Sequence, residues 1–177
     1  MKNPFSYILS LLSPKTQEDY KRAVADYNVA IEIESKDAAA YNNRGNSKSK
    51  IGDYKAAIAD YNTAIEINPE FAAAYNNRGI TKAKIGDYSG AIVDFNTAIE
   101  IDPKEAAIYN NRGNSKVKIG YYRASLADYN AAIEIDPEYA EAYNNRGHSK
   151  FMLEDYNEAI ADYDIAKKLQ NTKQLTS

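Results

Sequence analysis

The chain has 177 residues, 27% of them charged, and a net charge of -3 at pH 7. It contains no cysteine, so disulfides, zinc–thiolate sites and thiol catalysis are excluded. The acidic balance argues against a nucleic-acid partner, which asks for a basic footprint. Residues 1–15 form an apolar arm in which Phe5, Tyr7, Ile8, Leu11 and Leu12 follow helical spacing and Pro14 ends the helix. The arm is expected to dock on its own chain or on a neighbour about a Ser13–Lys15 hinge, leaving a monomer or a weak homodimer. Its apolar core is short and lacks a clean cleavage site, which favours a cytoplasmic protein over a secreted one. No stretch is long enough to span a bilayer.

Residues 16–37 read as a degenerate half-repeat. Tyr20, Ala23, Asp26, Tyr27, Ala30 and Ile31 predict one helix near 16–34. Four units follow, at 38–71, 72–105, 106–139 and 140–169, with a tail at 170–177. The string Tyr-Asn-Asn-Arg-Gly recurs at Tyr41–Gly45, Tyr75–Gly79, Tyr109–Gly113 and Tyr143–Gly147, always 34 residues apart. Such a period marks stacked supersecondary units. In the first unit a helix over 38–51 stops at Gly52, and Asp53 suits the first turn of the next helix. Tyr54, Ala57, Ile58, Tyr61, Ala64 and Ile65 give that second helix its apolar stripe, and Pro69 lies beyond its end. The later units repeat this with substitutions: Tyr121 stands in the Asp53 column, Ser125 in the Ala57 column, Glu154 in the glycine column and Lys167 in the Ile65 column, and the fourth unit has no proline.

These residues resemble the tetratricopeptide repeat family. Tyr41, Gly45, Gly52, Tyr54, Ala57, Tyr61, Ala64 and Pro69 match its pattern, and the likeness covers roughly residues 16–169. The resemblance implies an all-α, right-handed α-solenoid of helix–turn–helix repeats with first helices lining a concave groove. Two columns depart from the family. Arg44, Arg78, Arg112 and Arg146 stand where Leu is usual, and Lys48, Lys82, Lys116 and Lys150 replace an aromatic.

The Arg column falls on the side of the first helix that meets the second helix. A buried Arg asks for an anion. Arg44–Asp60, Arg78–Asp94, Arg112–Asp128 and Arg146–Asp162 are therefore expected as structural ion pairs, with the Lys48 column leading its ammonium groups outward. The opposite side is expected to line the groove. Its rows are Asn42, Asn76, Asn110 and Asn144; Asn43, Asn77, Asn111 and Asn145; Asn46, Ile80, Asn114 and His148; and Lys50, Lys84, Lys118 and Met152. An amide both donates and accepts, so such rows suit the backbone of an extended peptide, or else bonds between repeats. The Asn43 row is similar to the asparagine ladder of the O-linked N-acetylglucosamine transferase. The family's carboxylate-clamp members need cations in the Asn42, Ala107 and Asn111 columns, which are absent here. The Lys50 row still favours a partner with acidic segments. His148, Phe151 and Met152 are expected to make the C-terminal end of the groove less basic and more apolar.

No nucleophile–base pair, metal spacing or phosphate loop appears, so no enzyme, cofactor or metal is expected. The expected function is a protein-interaction scaffold that binds an extended peptide in an Asn- and Lys-lined groove. The alternative is a structural self-assembly module, joined through the N-terminal arm or the solenoid ends.

Overall fold

The structure, a computed structural model, describes residues 16–176; the apolar arm expected over 1–15 lies outside the described residues. Among the described residues nine helices follow in order. They are α1 (Gln17–Ile33), α2 (Ala38–Lys50), α3 (Tyr54–Ile67), α4 (Ala72–Lys84), α5 (Tyr88–Ile101), α6 (Ala106–Lys118), α7 (Tyr122–Ile135), α8 (Ala140–Met152) and α9 (Tyr156–Thr176). The last helix thus runs on through the segment that the sequence separates off as a tail. The chain divides into two compact units, one ending at Asp87 and the other beginning at Tyr88. In the first unit α1 packs on α2, α2 on α3 and α3 on α4, and α2 also touches α4. In the second, α5 through α9 pack in sequence, and α6 also touches α8.

Short polar side chains cap the starts of α1, α2 and α3, whereas α4, α6, α7 and α8 start without a side-chain cap. Thr16 and Asp19 form a reciprocal capping box on α1. Asp37 Oδ1 accepts from the Ala39 and Ala40 amides at the start of α2, and Asp53 Oδ1 from the Ala56 amide in α3. Gly52, Gly86 and Gly120 have φ of 89°, 85° and 83°. They let the amides of Asp53, Asp87 and Tyr121 reach back to the carbonyls of Lys48, Lys82 and Lys116. Glu154 takes the same turn at φ 67° without being glycine.

The two helices of a hairpin approach closely because the first carries glycine where the second carries an aromatic ring. A Cβ on Gly45 would stand 2.7 Å from Tyr61 Cε1, and one on Gly113 would stand 2.7 Å from Tyr129 Cε1. The rings of Tyr61 and Tyr129 lie against these backbones and are buried. Burial pushes the Tyr61 hydroxyl up to about 12. The hydroxyls donate to Asn46 Oδ1 and Asn114 Oδ1, both at 2.8 Å.

Beside each ring lies a buried carboxylate held by two cations. Arg44 Nε and Nη2 donate to Asp60 Oδ2 and Oδ1 at 2.9 and 2.6 Å, and Arg146 grips Asp162 at the same distances. Arg112 instead places both donors on Asp128 Oδ1, at 3.1 and 2.6 Å. Lys116 Nζ stands 2.8 Å from Asp128 Oδ2, but that oxygen makes no aligned hydrogen bond and is held by charge. Lys48 and Lys150 reach Asp60 and Asp162 at 2.8 and 3.0 Å. These lysines therefore turn inward, contrary to the outward path expected from sequence. A second cation is what makes a twice-gripped buried carboxylate affordable in a low dielectric. Burial alone would raise the Asp162 carboxyl; hydrogen bonds and charge from Arg146 and Lys150 outweigh it and hold it below its ordinary value. Its contribution to stability is thus present above the unfolded carboxyl pKa and lost as pH falls through the lower folded one.

The remaining guanidinium nitrogen looks backward along the chain. Nη1 of Arg44, Arg78, Arg112 and Arg146 donates to Asn28, Asn62, Asn96 and Asn130 at 2.7–2.8 Å. Each guanidinium also lies over the Tyr three residues earlier, 5.2–5.6 Å from the ring centroid.

Arg112→Ala is expected to cost about 3 kcal/mol, the low end for a broken buried pair because Lys116 still neutralises Asp128. Lys118→Ala, at an exposed site, is expected to change stability by less than about 0.5 kcal/mol. Equal melting shifts for the two variants would refute the clamp. Glu154→Gly is expected to stabilise by about 0.5–1 kcal/mol, since relief of the left-handed backbone exceeds the added chain entropy. Chemical denaturation measures both.

Candidate functional site

The first helices of each unit lie side by side, and their Asn rows meet there. Asn77 Nδ2 donates to Asn42 Oδ1 at 3.0 Å in the first unit, and Asn145 Nδ2 donates to Asn110 Oδ1 at 2.9 Å in the second. The acceptors also donate. Asn42 Nδ2 reaches Asn43 Oδ1 at 3.3 Å, and Asn110 Nδ2 reaches Glu141 Oε1 at 3.0 Å. Asn42 and Asn110 are buried, 5% and 1% exposed. This corrects the expectation that the Asn42 row lines a groove: these two amides are spent on joining neighbouring repeats. A buried amide has four bonding sites to satisfy, and the next first helix supplies the nearest partner.

The other columns divide in the same way. Asn46 and Asn114 are half-buried and accept from the Tyr hydroxyls of the second helices. Asn43, Asn76, Asn77, Asn111 and Asn145 are half-buried, while Asn144 and His148 are exposed. Of the clamp residues, Arg44, Arg112 and Arg146 sit on Asp60, Asp128 and Asp162 as described above. Arg78 bonds Asn62, and Asp94 is buried. Asn28, Asn62, Asn96 and Asn130 were missed from sequence, although each follows an Asp-aromatic pair in its second helix and the column repeats every 34 residues.

Lys50, Lys84 and Lys118 are exposed at the last positions of α2, α4 and α6. A cation is favoured there by the helix dipole. Lys84 Nζ donates to Ser49 Oγ at 3.4 Å and lies 5.7 Å from the Tyr54 ring centroid. Burial and the nearby Lys50 charge lower the Lys84 ammonium from its ordinary value.

At the C-terminal end the surface changes character. Phe151, Met152, Tyr156 and Ile160 are 51%, 44%, 52% and 58% exposed. The rings of Phe151 and Tyr156 meet edge to face with centroids 5.4 Å apart. In the column of Ile160, the earlier residues Ile58, Ile92 and Leu126 are half-buried. In the column of Phe151 the earlier residues are Ser49, Ala83 and Val117. Among the described residues no cluster of His, Asp or Glu is arranged to hold a metal, and no helix is long and apolar enough to cross a membrane.

Models of the tetratricopeptide repeat match residues 38–71, 60–93 and 140–173, and a TPR repeat model matches 82–120 and 113–154. Among curated proteins none matches the chain in sequence. Solved structures of the same fold include MamA, at 20% identity and a TM-score of 0.81 over 89% of this chain and 92% of that one. MamA residues 41 to the end from Desulfovibrio magneticus RS-1 align at 16% identity and a TM-score of 0.81, covering 97% and 98%. YrrB, a TPR protein with an unusual peptide-binding site, aligns at 25% identity and a TM-score of 0.74, covering 95% and 86%. The matched models run without a break from residue 38 to 173, and the glycine turns, the ring-on-glycine contacts and the helical order agree with them. The chain belongs to the tetratricopeptide repeat family, an all-α solenoid class of protein-interaction scaffolds.

Proposed function

We propose that this protein is a scaffold that joins copies of itself end to end. The observation that carries the reading is the uncovered apolar face of Phe151, Met152, Tyr156 and Ile160. In a repeat array each unit covers the one before it, and the last unit ordinarily ends in polar residues. Here the last hairpin keeps the apolar residues, and an exposed patch of that kind marks an interaction surface. Glu154, within this hairpin, holds a left-handed backbone that glycine holds elsewhere. Retained strain of that sort gathers at functional places.

The occupant is a second copy. The same chain offers Val29 and Ile33 on α1, 53% and 63% exposed, at its other end. Two unlike faces on one chain make a head-to-tail contact, which closes into rings or extends into open chains. The expected result is a mass in solution that grows with protein concentration. Phe151→Ser combined with Ile160→Asp is expected to return the chain to monomer with unchanged helix content. Sedimentation velocity measures it, and a wild-type monomer at every concentration would retire the reading.

A second reading, an extended peptide lying along the first helices, draws on the likeness to YrrB and its peptide-binding site. The exposed Asn144 and the exposed Lys50, Lys84 and Lys118 favour it. The bonded amides weigh against it. Asn145→Ala removes the donor to the buried Asn110 Oδ1, which is expected to lower stability by about 1–2 kcal/mol. Unchanged melting of that variant would show the amide to be free for a ligand.

A further inference from the structure

We infer that Lys50 and Lys84 form an anion site in the first unit that takes the side-chain carboxylate of an acidic peptide segment in a partner protein. The two lysines end neighbouring first helices, α2 and α4, and stand in the same column of successive repeats. Every lysine of the Lys48 column with a described contact is spent on a buried Asp. Lys50 and Lys84 have no carboxylate partner among the described residues. Lys84 Nζ reaches across to α2, where it donates to Ser49 Oγ, the residue beside Lys50. Two like charges brought together without a counterion cost free energy, and an anion between them converts that cost into binding.

The surroundings single out this repeat. Lys84 Nζ is drawn to Ser49 Oγ, and that hydroxyl is 3.1 Å from the buried Thr81 Oγ1. The column of Ser49 continues as Ala83, Val117 and Phe151, so the hydroxyl occurs in the first repeat alone. The Tyr54 ring lies on the other side of Lys84. The helix dipole accounts for a lysine at each helix end. It does not account for an ammonium that bonds a hydroxyl of the neighbouring helix and lies by a ring of the next one. Two ammonium groups without an Arg fork offer point charges, which suit one carboxylate without requiring a planar bidentate fit. The site uses residues remote in sequence from the apolar face of α8 and α9, so it stands or falls separately from self-association.

The experiment uses the full chain and a fluorescent octapeptide of Glu residues, read by anisotropy at low salt, with a Gln octapeptide as control. The Glu peptide is expected to bind, to weaken as salt rises, and to lose about fivefold in affinity with either Lys50→Gln or Lys84→Gln, the worth of one ion pair near the surface. Lys168→Gln, on exposed α9, is expected to leave binding unchanged. The Lys84 ammonium, followed by NMR, is expected to titrate at higher pH when the Glu peptide is bound. Equal binding of the Gln peptide, full binding by Lys50→Gln and Lys84→Gln, or an unmoved Lys84 titration would each overturn the site. Complete competition by inorganic phosphate at equal concentration would overturn the peptide as its ligand.

Discussion

The fold turns on one contact: an aromatic ring seated on a glycine of the helix before it. That contact brings two helix backbones together and leaves no room for a side chain between them. The carboxylate one position before the ring is then carried into the interface, where water no longer solvates it. Arg and Lys one turn apart on the first helix answer it, and the Arg has a nitrogen left over for the preceding repeat. Close packing, buried charge and the link between repeats are thus consequences of the same geometry. Ala at Gly45 or Gly113 would need the Tyr ring to move before any other contact formed.

The repeat, its turns and the partner of each described clamp arginine were legible in the sequence because each feature recurs in a column. A single Arg opposite a single Asp says little; four pairs sixteen residues apart in the sequence leave few arrangements. Two features were not legible. The stem of Lys48 is long enough to point its ammonium outward or inward, and only the second vacancy on Asp60 decides between them. Asn42 and Asn43 are adjacent and lie about 100° apart on the helix. A small rotation of α2 decides which of them is buried against α4, and no pattern in one sequence fixes that rotation. The Asn28 column was readable in principle, but an Asn on a second helix carries no signal of its own until the Arg fork is seen to have a free arm.

This division bears on function. A row of amides reads alike whether it waits for a ligand or holds the protein together. In this chain the amides of Asn42, Asn77, Asn110 and Asn145 already bond one another, so what the surface offers to others shifts to its lysines and to its end. Those two regions differ in kind. The lysine pair is polar, local and sensitive to salt, whereas the apolar face is broad and indifferent to it.

The Arg forks give the array a direction. Each arginine bonds the Asn of the repeat before it, so α1, α3, α5 and α7 are fastened from behind, and α3 and α7 from within as well. Among the described residues no first helix follows α9, and Asp164 occupies the place of that Asn. α9 is therefore held by Arg146 and Lys150 alone, and the second unit behaves as a zip that is loosest at α9. Freeing α9 breaks the grip of Arg146 and Lys150 on Asp162, whereas freeing α7 breaks the grip of Arg112 and Lys116 on Asp128 and the Arg146 bond to Asn130 as well. In the proposed assembly a neighbouring molecule seated on α8 and α9 would act as the stop that keeps the zip closed, and assembly and stability would be two aspects of the same contact.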